Sequence, residues 1–534
     1  MNDSKNNTVK TRISKDRSVQ DPHATGSFYT DRTTADIMSM WMCDQNTKHV
    51  LEPSFGNGSF IKALKDVNKE IQITGVEINS DLCAVEKIPF LKDVHVINTD
   101  FHRVETFQVD GVIGNPPFVR LRNLSNTERE HIQLKVQAVL GNPMEEKGSN
   151  WMSVVLHSSQ FLKKNGKMAF VLPFDATFVQ YAKPFWKYLA QNFGHIRVVR
   201  VLERLFPDIQ QQVILLFASA FGTSTDAIQL EMYESLIEYK KSIDTKQAKY
   251  KYINLTHFLD TERSFIRAIL PQRLSELLDS ISSKLTPMTN VCTWNIGYVS
   301  GNAPFFHPTQ ELCNQYGLSD SLHRNIAKAK QLREFGLYTS QEKDTEKTVL
   351  FYPNPHNLSE EEKNYIRYGE QNNVQNGYKC KNRSPWFLVP DVKRADVLLS
   401  GFSNFPKLVI NDGNYLASNS LLVGTLSTEI NIDQFVAGWY TNLTLLFCEL
   451  HFRALGGGVQ TPTPGETKEI QIFLPQVHTP QYTSRIDLAL KAKDFQQVYN
   501  LGDQVLKEQL GFTVDDISIL HQTLSLLRKW RIAK

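Results

Sequence analysis

The sequence has no run of apolar residues approaching the ~20 that a membrane-spanning helix needs. Its first twenty residues, MNDSKNNTVKTRISKDRSVQ, contain no apolar segment and are not expected to act as a signal peptide; residues 1–22 are expected to be a disordered, mildly basic tail. Cysteine is scarce. The six, at 43, 83, 292, 313, 380 and 448, include no Cys-x-x-Cys pair, which argues against a zinc site or a disulfide framework and makes the cytoplasm the default compartment. There is little excess charge of either sign: 59 Lys and Arg against 56 Asp and Glu, a net of +3. That balance neither demands nor excludes nucleic acid, because a basic cleft can hide in an even total. The dinucleotide fingerprint G-x-G-x-x-G is also missing, which argues against a nicotinamide enzyme. None of the 14 histidines falls in a motif that points to catalysis. What remains, at 41% hydrophobic and 22% charged residues over 534 positions, has the profile of a globular protein of more than one domain.

The first half alternates strands and helices. Apolar runs stand at HVLEP (49–53), ITGVEI (73–78), VHVINTD (94–100), GVIGNPP (111–117), KMAFVLP (167–173), HIRVVRVLE (195–203) and VILLFASAF (213–221). Helical patterns, SFIKALKDV (59–67) and NWMSVVLHSSQFLKKNG (150–166), lie between them. Nearly continuous apolar strands alternating with helices predict a parallel sheet covered on both faces. The last two runs are separated only by residues 204–212, too short for a crossover helix, and are expected to pair antiparallel. Residues 222–285 are more polar, with a helical pattern at 265–285; from about 291 Gly, Pro, Asn and aromatics become dense, the texture of loop-rich β structure. The chain closes on helical patterns at 482–499 and 514–532.

The chemistry sits where strands end. VLEPSFGNGSF (50–60) is a strand, an acidic Glu52, a turn with Gly56 and Gly58, and a helix, an arrangement that lets a cofactor approach the backbone; alone it is equally an ordinary tight turn. GVEINSD (75–81) ends the next strand on Glu77, a carboxylate placed for a ribose diol, or a solvated strand-end acid. NTDFH (98–102) offers Asp100 as an acceptor for an adenine amino group and Phe101 as a stacking ring, or an Asp cap beside a core Phe. GVIGNPPFVR (111–120) then stops a core strand with two prolines, which remove two donors and fix two φ angles. Asn115 and the Pro116 carbonyl supply two acceptors for the two protons of an exocyclic amine, and Phe118 a face for a planar base.

In this order the motifs resemble those of S-adenosylmethionine-dependent DNA adenine-N6 methyltransferases, the site-specific modification enzymes of type II restriction–modification systems with the gamma order of motifs. GSFYTD (26–31) resembles the family's opening motif, VEI, TDF and NPPF its second to fourth, and ERLFPDIQQQVILLF (203–217) a later one. The resemblance is detailed over 26–221 and looser at GYVSGNAPFF (297–306), KNRSPWFLVP (381–390) and EIQIFLP (469–475). Two departures stand out: Asp31 replaces the usual Pro after Tyr29-Thr30, and Ser54 and Phe55 stand where small residues or Cys are common. The resemblance implies an α/β, Rossmann-like methyltransferase domain with a mixed seven-stranded sheet at 23–285, an α+β target-recognition domain at 286–478 and a helical segment at 479–534. It places Tyr29, Thr30, Glu52, Ser54, Gly56, Gly58, Glu77, Ile78, Asp100, Phe101 and Asn115 at S-adenosylmethionine, and Asn115, Pro116, Pro117 and Phe118 at the transfer step.

It further implies that the target adenine is flipped out of double-stranded DNA, because N6 is not reachable inside a duplex. Phe118 and Phe206 would sandwich the base. Target reading would fall to about 290–475, where amides and aromatics interleave with basic residues, as in YKCKNRSPW (378–386); Arg383 and Trp386 are the expected DNA contacts there. GGGVQTPTPG (456–465) is either a flexible loop near DNA or a plain connector. No metal is expected. The protein is expected to be a monomer that works beside a separate restriction endonuclease. An RNA or protein-glutamine methyltransferase would share the cofactor domain and NPPF, but not the large C-terminal region. A fused nuclease finds no constellation here, and a non-catalytic binding module would not need NPPF intact.

Overall fold

The apolar runs of the first half become neighbouring strands of one large sheet. A computed structural model of the chain describes residues 30–85, 88–177, 179–203, 212–248, 250–255, 270–341, 348–401, 403, 405–453, 459–476 and 480–532. They fall into two compact units, divided between residues 269 and 270.

The first unit runs α1 (Arg32–Met42), β1 (His49–Glu52), α2 (Ser59–Val67), β2 (Gln72–Glu77), β3 (Val94–Asn98), β4 (Val109–Gly114), α3 (Asn126–Leu140), α4 (Asn150–Ser159), β5 (Leu162–Pro173), α5 (Lys183–Asn192), β6 (Phe193–Val201), β7 (Val213–Phe221), β8 (Ala227–Tyr233), α6 (Leu236–Thr245) and β9 (Tyr250–Asn254). The strand order is β3-β2-β1-β4-β5-β7-β6-β8-β9. Strands β1 to β5 pair parallel, and β7 lies antiparallel between β5 and β6, as the short 204–212 connection requires. Both faces are covered. Val50, Ile113, Ala169 and Val171 join one core cluster with residues of α1, α2 and α6. The intervening Leu51, Val112, Phe170 and Leu172 are equally sealed at 0% exposure, and strand alternation turns them to the other face.

The sheet has nine strands where seven were expected. The extra pair, β8 and β9, continues the edge beyond β6. β8 is buried on alternate positions and β9 almost wholly exposed, so neither carries the continuous apolar run that marks the inner strands. The helical pattern at 150–166 is also divided: the helix ends at Ser159, and pairing with β4 begins at once, through the Val109 N–H donating to the Phe161 carbonyl and the Val109–Leu162 register.

The second unit mixes sheets and helices. Cys292–Ile296, Leu421–Leu426, Val397–Ser400 and Leu408–Ile410 form a four-stranded antiparallel sheet, and Thr348–Phe351, Leu322–Ile326 and Leu416–Ala417 a three-stranded one. The pattern read as one helix at 482–499 is two, Pro480–Lys491 and Phe495–Leu510, because Asp494 caps the second by accepting the Gln497 N–H. The six cysteines are unpaired. Among the described residues no helix is long and apolar enough to cross a membrane.

Candidate active site

The carboxyl ends of β1, β2, β3 and β4 lie side by side and open on a cavity of about 710 Å³. This is the edge of a parallel sheet at which ligands bind in doubly wound folds. Of the expected site residues, Thr30, Glu52, Ser54, Gly56, Glu77, Ile78, Asp100, Phe101, Asn115 and Pro117 line it. Gly58, Pro116 and Phe118 do not, and Tyr29 and Phe206 lie outside the described residues.

Each strand end presents its acid differently. Glu52 is 1% exposed, and burial, followed by the charge of nearby Glu77, pushes its carboxyl well above the ordinary value. Its Oε2 and the Ser54 Oγ are buried with no hydrogen-bond partner among the described residues. Buried acceptors left in that state are costly, so the cavity suits a ligand that brings donors to this corner. Glu77 is held open-handed: the Gly56 N–H donates to Oε2 and the Asn79 N–H to Oε1, each at 2.9 Å. Each oxygen keeps a lone pair for a second donor, which suits a pair of hydroxyls. Asp100 accepts the backbone N–H of His102 at 3.0 Å on Oδ1. Burial pushes its carboxyl up, but hydrogen bonding to His102 and the charge of His102 and Arg103 outweigh that, and it titrates below the ordinary aspartate value.

The two glycines of the first turn separate in role. Gly56 offers its N–H at the cavity. Gly58 precedes α2 with φ +72, and a Cβ there would lie 2.1 Å from the Phe90 ring, so its place is in helix entry and packing. Phe55 is 3% exposed in the core cluster, which accommodates this departure from the family pattern. Asp31 in place of Pro is accommodated too: its carboxylate accepts the Thr34 N–H at 3.0 Å and caps α1. Beside it, the Thr30 carbonyl accepts the Ser59 hydroxyl at 2.9 Å, and Thr30 Oγ1 accepts the Asn115 Nδ2–H at 3.2 Å. The opening segment therefore orients the amide of the NPPF turn.

Phe101 is 5% exposed, its ring stacked on Phe161 at 5.4 Å, so it borders the cavity from within the core. Phe118 is half-buried against the core cluster. Sequence reasoning missed the wall supplied by 119–154. Val119, Leu124, Glu128, Ile132, Asn150 and Val154 all line the cavity, and Asn150 Oδ1 accepts the Val119 N–H at 3.0 Å, directly after Phe118. No residue pattern marks this wall in advance, because α3 carries only two fully buried residues, Ile132 and Val136.

In the second unit, Arg383 is engaged by its own backbone surroundings. Nη1–H donates to the Ser300 carbonyl at 2.8 Å and Nη2–H to Val299 at 2.6 Å. Trp386 packs at 5.2 Å from Phe305 and donates Nε1–H to Glu370. Exposed groups of that stretch include Tyr378, at 73%, and Lys379 and Lys381, whose ammonium groups each lie 5.8 Å from its ring.

Residues 16–270 match the family model described as N-6 DNA Methylase, and residues 262–507 match that of the C-terminal domain of type II methyltransferase M.Eco57I. Type II methyltransferase M.AccI of Acinetobacter calcoaceticus is 24% identical over 483 residues, covering 86% of this chain and 87% of its own. Type II methyltransferase M.HindII of Haemophilus influenzae is 24% identical over 352 residues, 62% of this chain and 65% of its own. Among solved structures, the type IIG restriction endonuclease BpuSI is similar at 12% identity and a TM-score of 0.44, over 95% of this chain and 66% of that one.

Proposed function

From a chain that carries an N-6 DNA methylase domain followed by a type II methyltransferase C-terminal domain, and that is homologous to type II methyltransferases, we propose a site-specific enzyme that moves a methyl group from S-adenosylmethionine to N6 of an adenine flipped out of duplex DNA. The observation that carries this reading is the NPPF turn: Asn115, oriented by Thr30, opens on the same cavity as Glu77 and Asp100.

The cavity residues fit the cofactor. Glu77 accepts from the ribose hydroxyls, and Asp100 from the adenine amino group. Buried Glu52 and Ser54 take donors from the amino-acid end. Tyr29, outside the described residues, completes that end by resemblance. When bound, the cofactor supplies an electrophilic methyl on a sulfonium. The chain's own task is to make N6 a nucleophile. Asn115 Oδ1 and the Pro116 carbonyl accept hydrogen bonds from the two amino N–H groups, which draws the nitrogen out of conjugation and frees its lone pair. As the N–C bond forms, the electrons of the broken S–C bond would stay on sulfur and the methylated nitrogen would lose one proton to water. Pro117 stiffens the turn, and Phe118 stacks on the base; Phe206, outside the described residues, is its partner by resemblance. Positioning and fixed dipoles suffice, and no side chain need titrate.

The second unit is proposed to hold duplex DNA, with Lys379, Lys381 and Tyr378 at the contact and Arg383 and Trp386 shaping the stretch that presents them. In the cell the modification would protect DNA from a cognate endonuclease. The test is transfer of labelled methyl to duplex DNA with mapping of the modified atom. Label at adenine N6 of one recurring sequence is the expected result, and label in RNA or protein but not in DNA overturns the reading.

A further inference from the structure

A line of polar groups runs along the wall of the cavity, from Asp100 to the backbone just past the NPPF turn; His102 and Asn150 line the cavity themselves, and Ser153 stands behind them. Asp100 Oδ1 faces His102 Nδ1 at 3.0 Å, and on the other side of the imidazole Nε2 lies 2.8 Å from Ser153 Oγ. Ser153 Oγ is 2.8 Å from the Asn150 carbonyl, one turn earlier in α4. Asn150 Oδ1 accepts the Val119 N–H, and the neighbouring Ser149 hydroxyl donates to the Val119 carbonyl, both at 3.0 Å. Asp100, at one end, and Val119, at the other, both line the cavity.

The order Asp–His–Ser is that of a hydrolytic trio, but Ser153 is 0% exposed and no substrate carbonyl reaches it. Packing does not require the line either. His102 is 6% exposed among Phe101, His157 and Ser153, where an apolar ring would fill the space without two nitrogens to satisfy. What the line does provide is direction. Oδ1 of Asp100 is taken up by His102, which turns the rest of the carboxylate to the cavity, and Asn150 fixes the first residue after Phe118.

We propose that His102 and Ser153 are positioning residues of the methyl transfer, holding the Asp100 carboxylate toward the cofactor's amino group and, through Asn150, the backbone that carries the target-base cradle. The proposal rests on reading the cavity as the S-adenosylmethionine site. Two substitutions separate the ends of the line, because an Asn amide nitrogen can stand in for Nδ1 and a Gln amide nitrogen for Nε2. In the full chain, His102→Gln keeps the Ser153 side and removes the side-chain contact to Asp100, leaving Oδ1 only the backbone N–H of residue 102. It should weaken S-adenosylmethionine binding about tenfold by calorimetry, the size of one hydrogen bond to a charged group. His102→Asn should bind within about twofold of wild type yet lower kcat, as should Ser153→Ala, since one hydrogen bond is worth up to roughly tenfold.

If both His102 variants fail to fold, Ser153→Ala decides alone: a lower kcat at unchanged affinity supports the positioning role, and a wild-type kcat overturns it. Wild-type affinity and kcat in all three variants overturn it, and so do equal losses in affinity and kcat across the His102 pair. Wild-type protein that binds no S-adenosylmethionine overturns the cavity reading itself, before any variant is compared.

Discussion

At the scale of single residues, neighbouring side chains in one cavity carry separable tasks. Asn115, proposed to face the target amine, has its amide set by Thr30. Asn115→Ala should lower kcat by about 100-fold, the usual size of losing one group that meets developing charge, while calorimetric affinity for S-adenosylmethionine stays within a few-fold. Glu77→Ala should do the reverse: affinity falls first, because the proposed ribose acceptor goes and the Gly56 and Asn79 N–H groups lose their partner. Identical changes in both parameters for the two variants would refute this division. His157 makes a different prediction. It is 1% exposed, and burial above all, helped by the charges of Lys135 and His102, draws its pKa from 6.5 down to about 3. Between those values the unfolded chain binds a proton that the folded chain does not. Its contribution to stability is therefore whole above about pH 6.5 and is lost as pH falls toward 3. At pH 5 the loss amounts to about 2 kcal/mol. Urea midpoints of wild type and His157→Phe at pH 7 and pH 5 isolate it, and equal pH slopes in the two proteins would count against the assignment.

At the scale of elements, the stretch at 377–386 shows how a basic run divides its labour. Arg383 ties this stretch to 299–300 through two carbonyls. Gly301, with φ +87, lets the two strands of chain approach so closely that a Cβ there would lie 2.7 Å from the Lys379 Cβ. Lys379 and Lys381, beside exposed Tyr378, are the groups proposed to meet a phosphate backbone. Lys379→Ala and Lys381→Ala should each reduce the salt slope of duplex DNA binding by about one, uniformly across sequences. Arg383→Ala should instead lower the thermal midpoint and weaken binding at an unchanged slope. A slope reduced by Arg383→Ala, with unaltered stability, would return Arg383 to direct DNA contact.

At the scale of the molecule, every described residue proposed for the cofactor and the transfer lies in the unit that ends before Leu270, and the lysines proposed for DNA lie in the other. The first unit buries one face of its central strands with its own helices α1, α2 and α6, and the strand residues of the other face are sealed as well. A chain cut after Ile269 should therefore bind S-adenosylmethionine with near wild-type affinity and fail to methylate a specific site. A fragment that modifies the same sequence as the full chain would refute this separation of reading from transfer.

The amino-acid order by itself determined the inner strands of the first unit and their carboxyl ends. Runs such as GVIGNPP and VILLFASAF are strands in any context that buries them, and prolines end a strand wherever they fall. A nine-residue link between 203 and 213 leaves only an antiparallel return. These are local properties, set by period-two burial and backbone sterics. Only the tertiary structure decided which partner each polar group meets. Thr30 and Asn115 are 85 positions apart, and His102 and Ser153 are 51 apart. No pattern shorter than those separations could show that one orients the other. The same holds for Arg383, a DNA contact by composition, whose guanidinium is claimed by carbonyls 83 and 84 residues earlier. It holds for β8 and β9 as well, whose mixed polarity becomes strand only because β6 offers an edge to extend. Sequence fixes what a segment can form through its own backbone, and packing alone selects which buried donors and acceptors must satisfy one another.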